Sequence, residues 1–518
     1  MNKGLLLLRT LSHLRPRQVI YQILTRLHKP KFRNLESPET ESLSLTAPIP
    51  REYCFDNEKT FTFLNISKVN PGWNDVSDGM LWAYNLNYMD YINQETYSFE
   101  SSKILIDRFI SEINTNKIGL DPYPIALRGI NWIKWMSGNA NRLTETERKV
   151  INDSLYSQYR LLSRKIEYHL LGNHLLEDAY SIVIGAIYFN DPDLWKTGCR
   201  ILLTELDEQI LADGAHYEQS PMYHCILLDR LLDVYNVSIN NNRFGYNQRE
   251  LDKKLKFKAV IMLGHLENII WKDRTMPLLN DSAFGIAPKA EQIFDYAKRL
   301  GLKWQGIPLK ECGYRKFIND RFEAIVDIGN ITATYQPGHT HSDVLSFELR
   351  KDNKPWITDT GISTYNKTER RQYERSTKAH NTVTIGNNDA YEVWGGFRVG
   401  KRADVTVQKD LGNKVVASHD GYAPVIHTRN FEIRNDCFEI TDTVTRNSSG
   451  VSRLHFAPDI KVDYDGGNKI LTTAGEISLT GADKVLLYTE LVSTEYNRFN
   501  QISVAEIYFS SPLTIKFT

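Results

Sequence analysis

The hydrophobic period of this chain changes once, near residue 310, and that change limits the folds open to it. From Leu81 to about residue 302 apolar residues recur at helical spacing, in runs such as ILIDRFISEI, IALRGINWIKWM and HLLEDAYSIVIGAIYF, joined by short polar turns. About eight amphipathic helices in succession predict hairpins stacked around a common axis, as a bundle or an α/α toroid. Beyond Cys312, short runs alternate apolar with polar, as in RFEAIVDIG, RADVTVQK and KVLLYTELV, separated by Gly, Asn and Asp. Many short strands without helices between them predict an antiparallel sandwich. The expected division is an N-terminal helix and extended connector (1–75), a toroid (76–310) and a β-sandwich (311–518), with a ligand cleft between the two large units.

At 518 residues the chain exceeds one ordinary core. Its 63 basic and 63 acidic residues balance, so no global field favours nucleic acid, and any polyanion must be gripped locally. The five cysteines are dispersed and odd in number, which points to a reducing compartment rather than a disulfide framework. At the N-terminus the apolar run Leu5 to Leu8 is too short for an export signal, and no later run matches a membrane span, so a cytoplasmic location is expected. The same segment reads as a basic amphipathic helix with Leu8, Leu11, Ile20, Ile23 and Leu27 at apolar positions. Packing on the body is expected of it; docking on a membrane surface is the alternative.

The polar residues that neither period requires fall in a few places. His339 and His341 stand two apart before VLSFEL, and on a continuing strand would share one face. Asp359 closes the next run and His380 opens a third. Two imidazoles and a carboxylate suit Zn²⁺ or a similar divalent ion, although hydrogen-bonded core histidines are the plain alternative. In the helical half, Arg128 and Asn131 interrupt an apolar helix and read equally as an internal salt-bridged or capping pair or as substrate contacts. GNHLLEDA places Asn173 at an expected N-cap, with His174 and Glu177 on one helical face. DGAHYEQSPMYH gathers His216, Tyr217, Glu218, Tyr223 and His224 around a proline turn.

Taken in order, NHLLEDA, DGAHYEQSPMYH, PLLNDS, GHTHSD, TDTGISTY and AHNTV resemble the heparinase II/III-type polysaccharide lyases over roughly residues 80 to 400. The resemblance implies an incomplete α/α toroid followed by an antiparallel β-sandwich. It also implies β-elimination at a 4-linked uronate, with loss of the C5 proton and expulsion of the C4 oxygen. On that reading Asn173 neutralises the uronate carboxylate, and Tyr223, His174 and His339 supply acid and base. Glu177, Arg128, Tyr365 and Arg375 become substrate contacts, while His341, Asp359 and His380 hold a structural divalent ion, Zn²⁺ by donor type. The expected partner is a uronate-containing polysaccharide or oligosaccharide of modest charge, because no basic cluster accompanies the motifs. Neither nucleic acid nor a transmembrane segment is expected, and the oligomeric state stays open. Two further classes remain: a hydrolase using His341, Asp359 and His380 to activate water, and a glycan-binding protein without activity.

Overall fold

Twelve α-helices and a series of antiparallel sheets make up the computed structural model, which describes residues 3–56, 59–96 and 98–518. The helices are α1 (Lys3–Leu11), α2 (Pro16–Leu27), α3 (Met80–Tyr88), α4 (Phe99–Glu112), α5 (Pro122–Gly138), α6 (Glu145–Lys165), α7 (Gly172–Phe189), α8 (Pro192–Gln209), α9 (Pro221–Asn240), α10 (Gly245–Ile269), α11 (Ala290–Arg299) and α12 (Glu369–Glu374). Their starts follow local chemistry. Thr144 and Glu147 form a capping box at α6, Asp191 caps α8 ahead of Pro192, and Ser220 caps α9 ahead of Pro221. Helix α7 is buried almost throughout and packs against α5, α8 and α9, as the apolar run from Ala179 to Phe189 requires.

Strands take over at Tyr314. One eight-stranded sheet runs in the order Val405–Leu411, Lys414–His419, His427–Ile433, Phe438–Val444, Leu513–Phe517, Glu476–Thr480, Lys469–Thr472, Val462–Tyr464. It shares a core with two four-stranded sheets, one built on Tyr314–Ile318 to Lys354–Ile357 and one on Lys484–Glu495 and Arg498–Phe509. Register is fixed by a buried row crossing five strands: Val415 opposes Phe431, Phe431 opposes Ile440, Ile440 opposes Ile515 and Ile515 opposes Leu479. A slip of one residue would turn that row to solvent. The architecture is an α/α toroid followed by an antiparallel β-sandwich.

Two local expectations differ from the structure. His339 and His341 lie on irregular chain, and the strand begins only at Phe347. Their alignment therefore comes from a shared side-chain partner and not from a pleat. In the N-terminal helices Leu8, Leu11, Ile20, Ile23 and Leu27 do not pack on the body; all five are exposed, while among the described residues Leu6 and Gln18 are the buried ones.

The helical and β halves meet where Leu278–Ser282 runs against residues 339–341. The Asp281 amide donates to the His339 carbonyl at 3.2 Å, and the His341 amide donates to Asn280 Oδ1 at 2.9 Å.

Candidate functional site

A cleft of about 1220 Å³ opens between the two halves, and Asn173, His174, Glu218, Tyr223, His339 and Tyr365 all line it. Helix α7 delivers the first two. It begins two residues earlier than the sequence suggests, with Leu171 at the N-cap position and no side-chain cap, so Asn173 sits within the first turn. The missing cap is supplied from the loop between α8 and α9. Glu218 accepts the Asn173 backbone amide on Oε1 at 3.0 Å and the Asn173 carboxamide on Oε2 at 2.9 Å. Gly172 permits this approach: its φ is +61°, and a Cβ there would lie 2.7 Å from Glu218 Oε1.

Asn173 Nδ2 also lies 3.3 Å from His339 Nε2, so one carboxamide spans the two halves of the molecule. The other face of the His339 ring is pinned by Asp281, whose Oδ2 is 2.8 Å from Nδ1. Asp281 is wholly buried and carries the load of four contacts. His341 Nε2 meets Oδ1 at 2.8 Å, and Arg371 engages Oδ1 at 2.5 Å and Oδ2 at 2.7 Å. Burial opposes its charge, but Arg371 and the two histidines hold the Asp281 carboxyl well below the usual range. An ionised carboxylate only accepts, so His339 donates from Nδ1 and presents the lone pair of Nε2 to the cleft when neutral.

Tyr223 lies against this imidazole, ring centroids 3.9 Å apart. Its hydroxyl accepts from the Tyr365 hydroxyl at 3.3 Å, which leaves its own proton free to point into the cleft. Burial raises the phenol above its ordinary value, so Tyr223 stays protonated. His174 also lines the cleft, partly exposed, with Nδ1 3.0 Å from Glu167 Oε2 and its ring 4.7 Å from that of Tyr123. Burial works against its charge, yet Glu167 raises it above the usual imidazole value.

Three expected substrate contacts do not reach the cleft. Arg128 is wholly buried and donates to Gln158 Oε1 and to the carbonyls of Asn87 and Gly119, which ties α5 to α3 and α6. Arg375 is buried and donates to the carbonyls of Thr340 and Arg398, bracing the His339 loop from behind. Glu177 lies beneath the floor, unexposed, 4.0 Å from Arg230 Nε, and burial lifts its carboxyl to about 7. Of the four, only Tyr365 lines the cleft.

His341, Asp359 and His380 share one buried cluster. The rings of His341 and His380 are 5.2 Å apart, and Asp359 Oδ2 is 2.7 Å from His380 Nδ1. With Nε2 donating to Asp281, His341 keeps a lone pair on Nδ1, a buried atom with no hydrogen-bond partner, and burial pushes the ring down to about 3. His380 Nε2 and Asp343 Oδ2 are likewise unpartnered and buried. Among the described residues, the donors that bring one ligand atom each within 4.8 Å of one another are Asp213, His265 and Cys312; the expected set of His341, Asp359 and His380 is not gathered that closely. The Asp213 carboxylate is already taken up by the backbone amides of Ala215, Lys310 and Cys312.

Sequence reasoning passed over Asp281 and Arg371, the pair that orients His339. Asp281 falls within PLLNDS, but nothing in its spacing from His339 signals a contact across 58 residues.

Comparison with known proteins agrees with this architecture. The heparinase II/III N-terminus model matches residues 143–298, and the heparinase II/III-like C-terminal model matches residues 302–510. A heparin-sulfate lyase of Bacteroides stercoris is 23% identical over 321 residues, covering 56% of this chain and 46% of the relative. One from Pedobacter heparinus is 26% identical over 247 residues, 42% of this chain and 36% of the relative. The chain spans about half or less of the length of these relatives. Among solved structures, a heparinase III superposes with a TM-score of 0.61 at 17% identity, covering 86% of this chain and 80% of that one. The heparan sulfate lyase HepC of Pedobacter heparinus gives 0.58 at 17% identity, covering 96% and 87%.

Proposed function

The chain belongs to the heparinase II/III family, and from that membership together with the cleft we propose that it is a polysaccharide lyase that cleaves a uronate-containing glycan by β-elimination. The observation that carries this reading is the convergence of Asn173, Tyr223 and His339 from both halves on one cleft.

The C5 proton of a uronate is barely acidic while the adjoining carboxylate is charged, so that group must be neutralised as the proton leaves. The Asn173 carboxamide, beside the imidazole of His174, serves here. The 3.3 Å contact from Asn173 Nδ2 to His339 Nε2 is the weaker of its two hydrogen bonds, and a substrate carboxylate that displaces it frees the Nε2 lone pair. His339, oriented by Asp281, then takes the C5 proton, and Tyr223, held protonated by its burial, gives its proton to the departing C4 oxygen. Arg371 and Arg375 act as positioning residues behind this pair.

The substrate is a glycan of low charge. Arg51, Lys134, Arg142, Arg230 and Lys289 line the cleft, but each is ion-paired, with Asp90, Asp233, Glu100, Asp229 and Glu52 respectively. Little unpaired positive charge is left for sulfate groups.

The divalent ion implied by the family is assigned to His341 and His380, whose Nδ1 and Nε2 are buried without protein partners, with Asp359 holding His380 through its Nδ1. Zn²⁺ suits two imidazoles and a carboxylate. Its contribution would be structural, tying together the loops that carry His339 and Arg375. The test of the whole reading is the ultraviolet absorbance of an unsaturated uronate on incubation with uronate glycans of graded sulfation. Products that lack the double bond, or no turnover on any of them, would overturn it.

A further inference from the structure

The helix pair α1–α2 is packed inside out. On α2 the face turned to the body is mostly polar and carries one aromatic, Tyr21, whose ring lies 4.8 Å from that of Tyr168. Gln18 is buried and donates to the carbonyls of Leu170 and Tyr335, Gln22 donates to the carbonyl of His169, and Thr25 returns to the carbonyl of Tyr21. The opposite face carries Val19, Ile20, Ile23, Leu24 and Leu27, which are 43%, 54%, 54%, 45% and 79% exposed. An amphipathic helix that only stabilised the fold would do the reverse, because each exposed aliphatic side chain forgoes about 1.5–3 kcal/mol of burial. Helix α1 continues the surface with exposed Leu5, Leu7, Leu8 and Leu11. It is held on the body at other points, by buried Leu6, by Thr10 accepting from Trp394 Nε1 at 3.1 Å, and by an Arg9–Glu392 ion pair.

Charge says what covers this face. In a chain with no net charge, residues 1–35 contain eight Lys and Arg and no Asp or Glu. Arg26, Lys29, Lys31 and Arg33 are exposed at the end of α2 and just beyond it. Two copies of such a surface would repel one another, which disfavours self-association through it. Aliphatic side chains beside clustered cations match a bilayer surface that offers acyl chains and anionic headgroups together. Neither helix is long and apolar enough to cross a membrane, so the contact is one of lying on the surface.

We propose that α1 and α2 form a peripheral docking face for an anionic lipid surface. The full chain is to be floated with vesicles of phosphatidylcholine alone and of phosphatidylcholine with phosphatidylglycerol. It should rise with the anionic vesicles, and about tenfold less with the neutral ones or at high salt. A variant carrying Ile20→Glu, Ile23→Glu and Leu27→Glu should lose flotation with an unchanged melting temperature, since all three positions are exposed. Reversing Lys29, Lys31 and Arg33 to Glu should lower binding by at least about a hundredfold. Failure of the native chain to bind either vesicle, or full binding by the Ile20/Ile23/Leu27 variant, would overturn the proposal. So would a dimer in light scattering that this variant converts to monomer, because the face would then be a self-interface.

Discussion

The Asp281 carboxylate holds Nδ1 of His339 at 2.8 Å across the junction of the two halves, and it reaches His341 and Arg371 with the same two oxygens. Orientation of the proposed base, attachment of the His341–His380 cluster and contact between the two halves thus meet at one side chain. Asp281→Asn keeps the shape but presents an amide that cannot accept on both sides. The expected result is a roughly 10²–10⁴-fold fall in kcat with KM little changed, measured beside His339→Ala. Equal loss in KM, or kcat within a few-fold of the native value, would remove Asp281 from this role.

On the proposed mechanism Tyr223→Phe removes the proton given to the leaving oxygen while sparing the fold, since among the described residues its hydroxyl bonds only to Tyr365. Eliminative turnover should disappear into background while the melting temperature holds. Tyr365→Phe removes one 3.3 Å hydrogen bond to the Tyr223 oxygen and should cost no more than about tenfold. A Tyr223→Phe enzyme with native activity would leave His339 or His174 as the acid and invalidate the assignment.

The change of period at residue 310 made the two-part fold legible, because helix and strand periodicities are written locally. Asn173, Tyr223 and His339 were legible as residues, through the motifs that carry them. Their partners were not. Asp281 and Glu218 act across 58 and 45 residues, and such contacts leave no spacing signal. Arg128, Arg375 and Glu177 were misplaced for a related reason: a lone polar residue in an apolar run reads alike whether it faces a ligand or satisfies buried carbonyls, as Arg128 does for Asn87 and Gly119. The N-terminal helices failed differently. Amphipathic pattern identifies an apolar face but not which side of the helix meets the body.

Metal content should follow His341 and His380. His341→Ala is expected to lower the metal-to-protein ratio of the purified chain and its melting temperature together. Chelation of the native enzyme should act in the same direction, with activity lost only as the His339 loop loosens. Cys312→Ser tests the other donor group. Its thiol is pushed well above the usual value by burial, and Asp213 is occupied by backbone amides. Elemental analysis should therefore show no change for that variant, and loss of metal there with retention in His341→Ala would reverse the assignment.

Glu177 gives a pH dependence whose sign can be worked out. Burial lifts its folded carboxyl from 4.5 to about 7, with Asp229 and Asp233 adding to the rise and Arg230 opposing it. The folded state therefore keeps the proton after the unfolded state has released it. Stability from this group is complete below pH 4.5, falls between there and about 7, and stays lower above. Glu177→Gln removes the ionisation and keeps the shape. At pH 8 the variant should be more stable than the native chain, by at most about 3 kcal/mol, and at pH 4.5 the two should nearly coincide. Denaturant titrations at the two pH values check this. A variant less stable than the native chain at pH 8 would mean that Glu177 is ionised and paired with Arg230 in the folded protein, so that the carboxylate beneath the cleft floor supports Arg230 instead of resting there as a neutral acid.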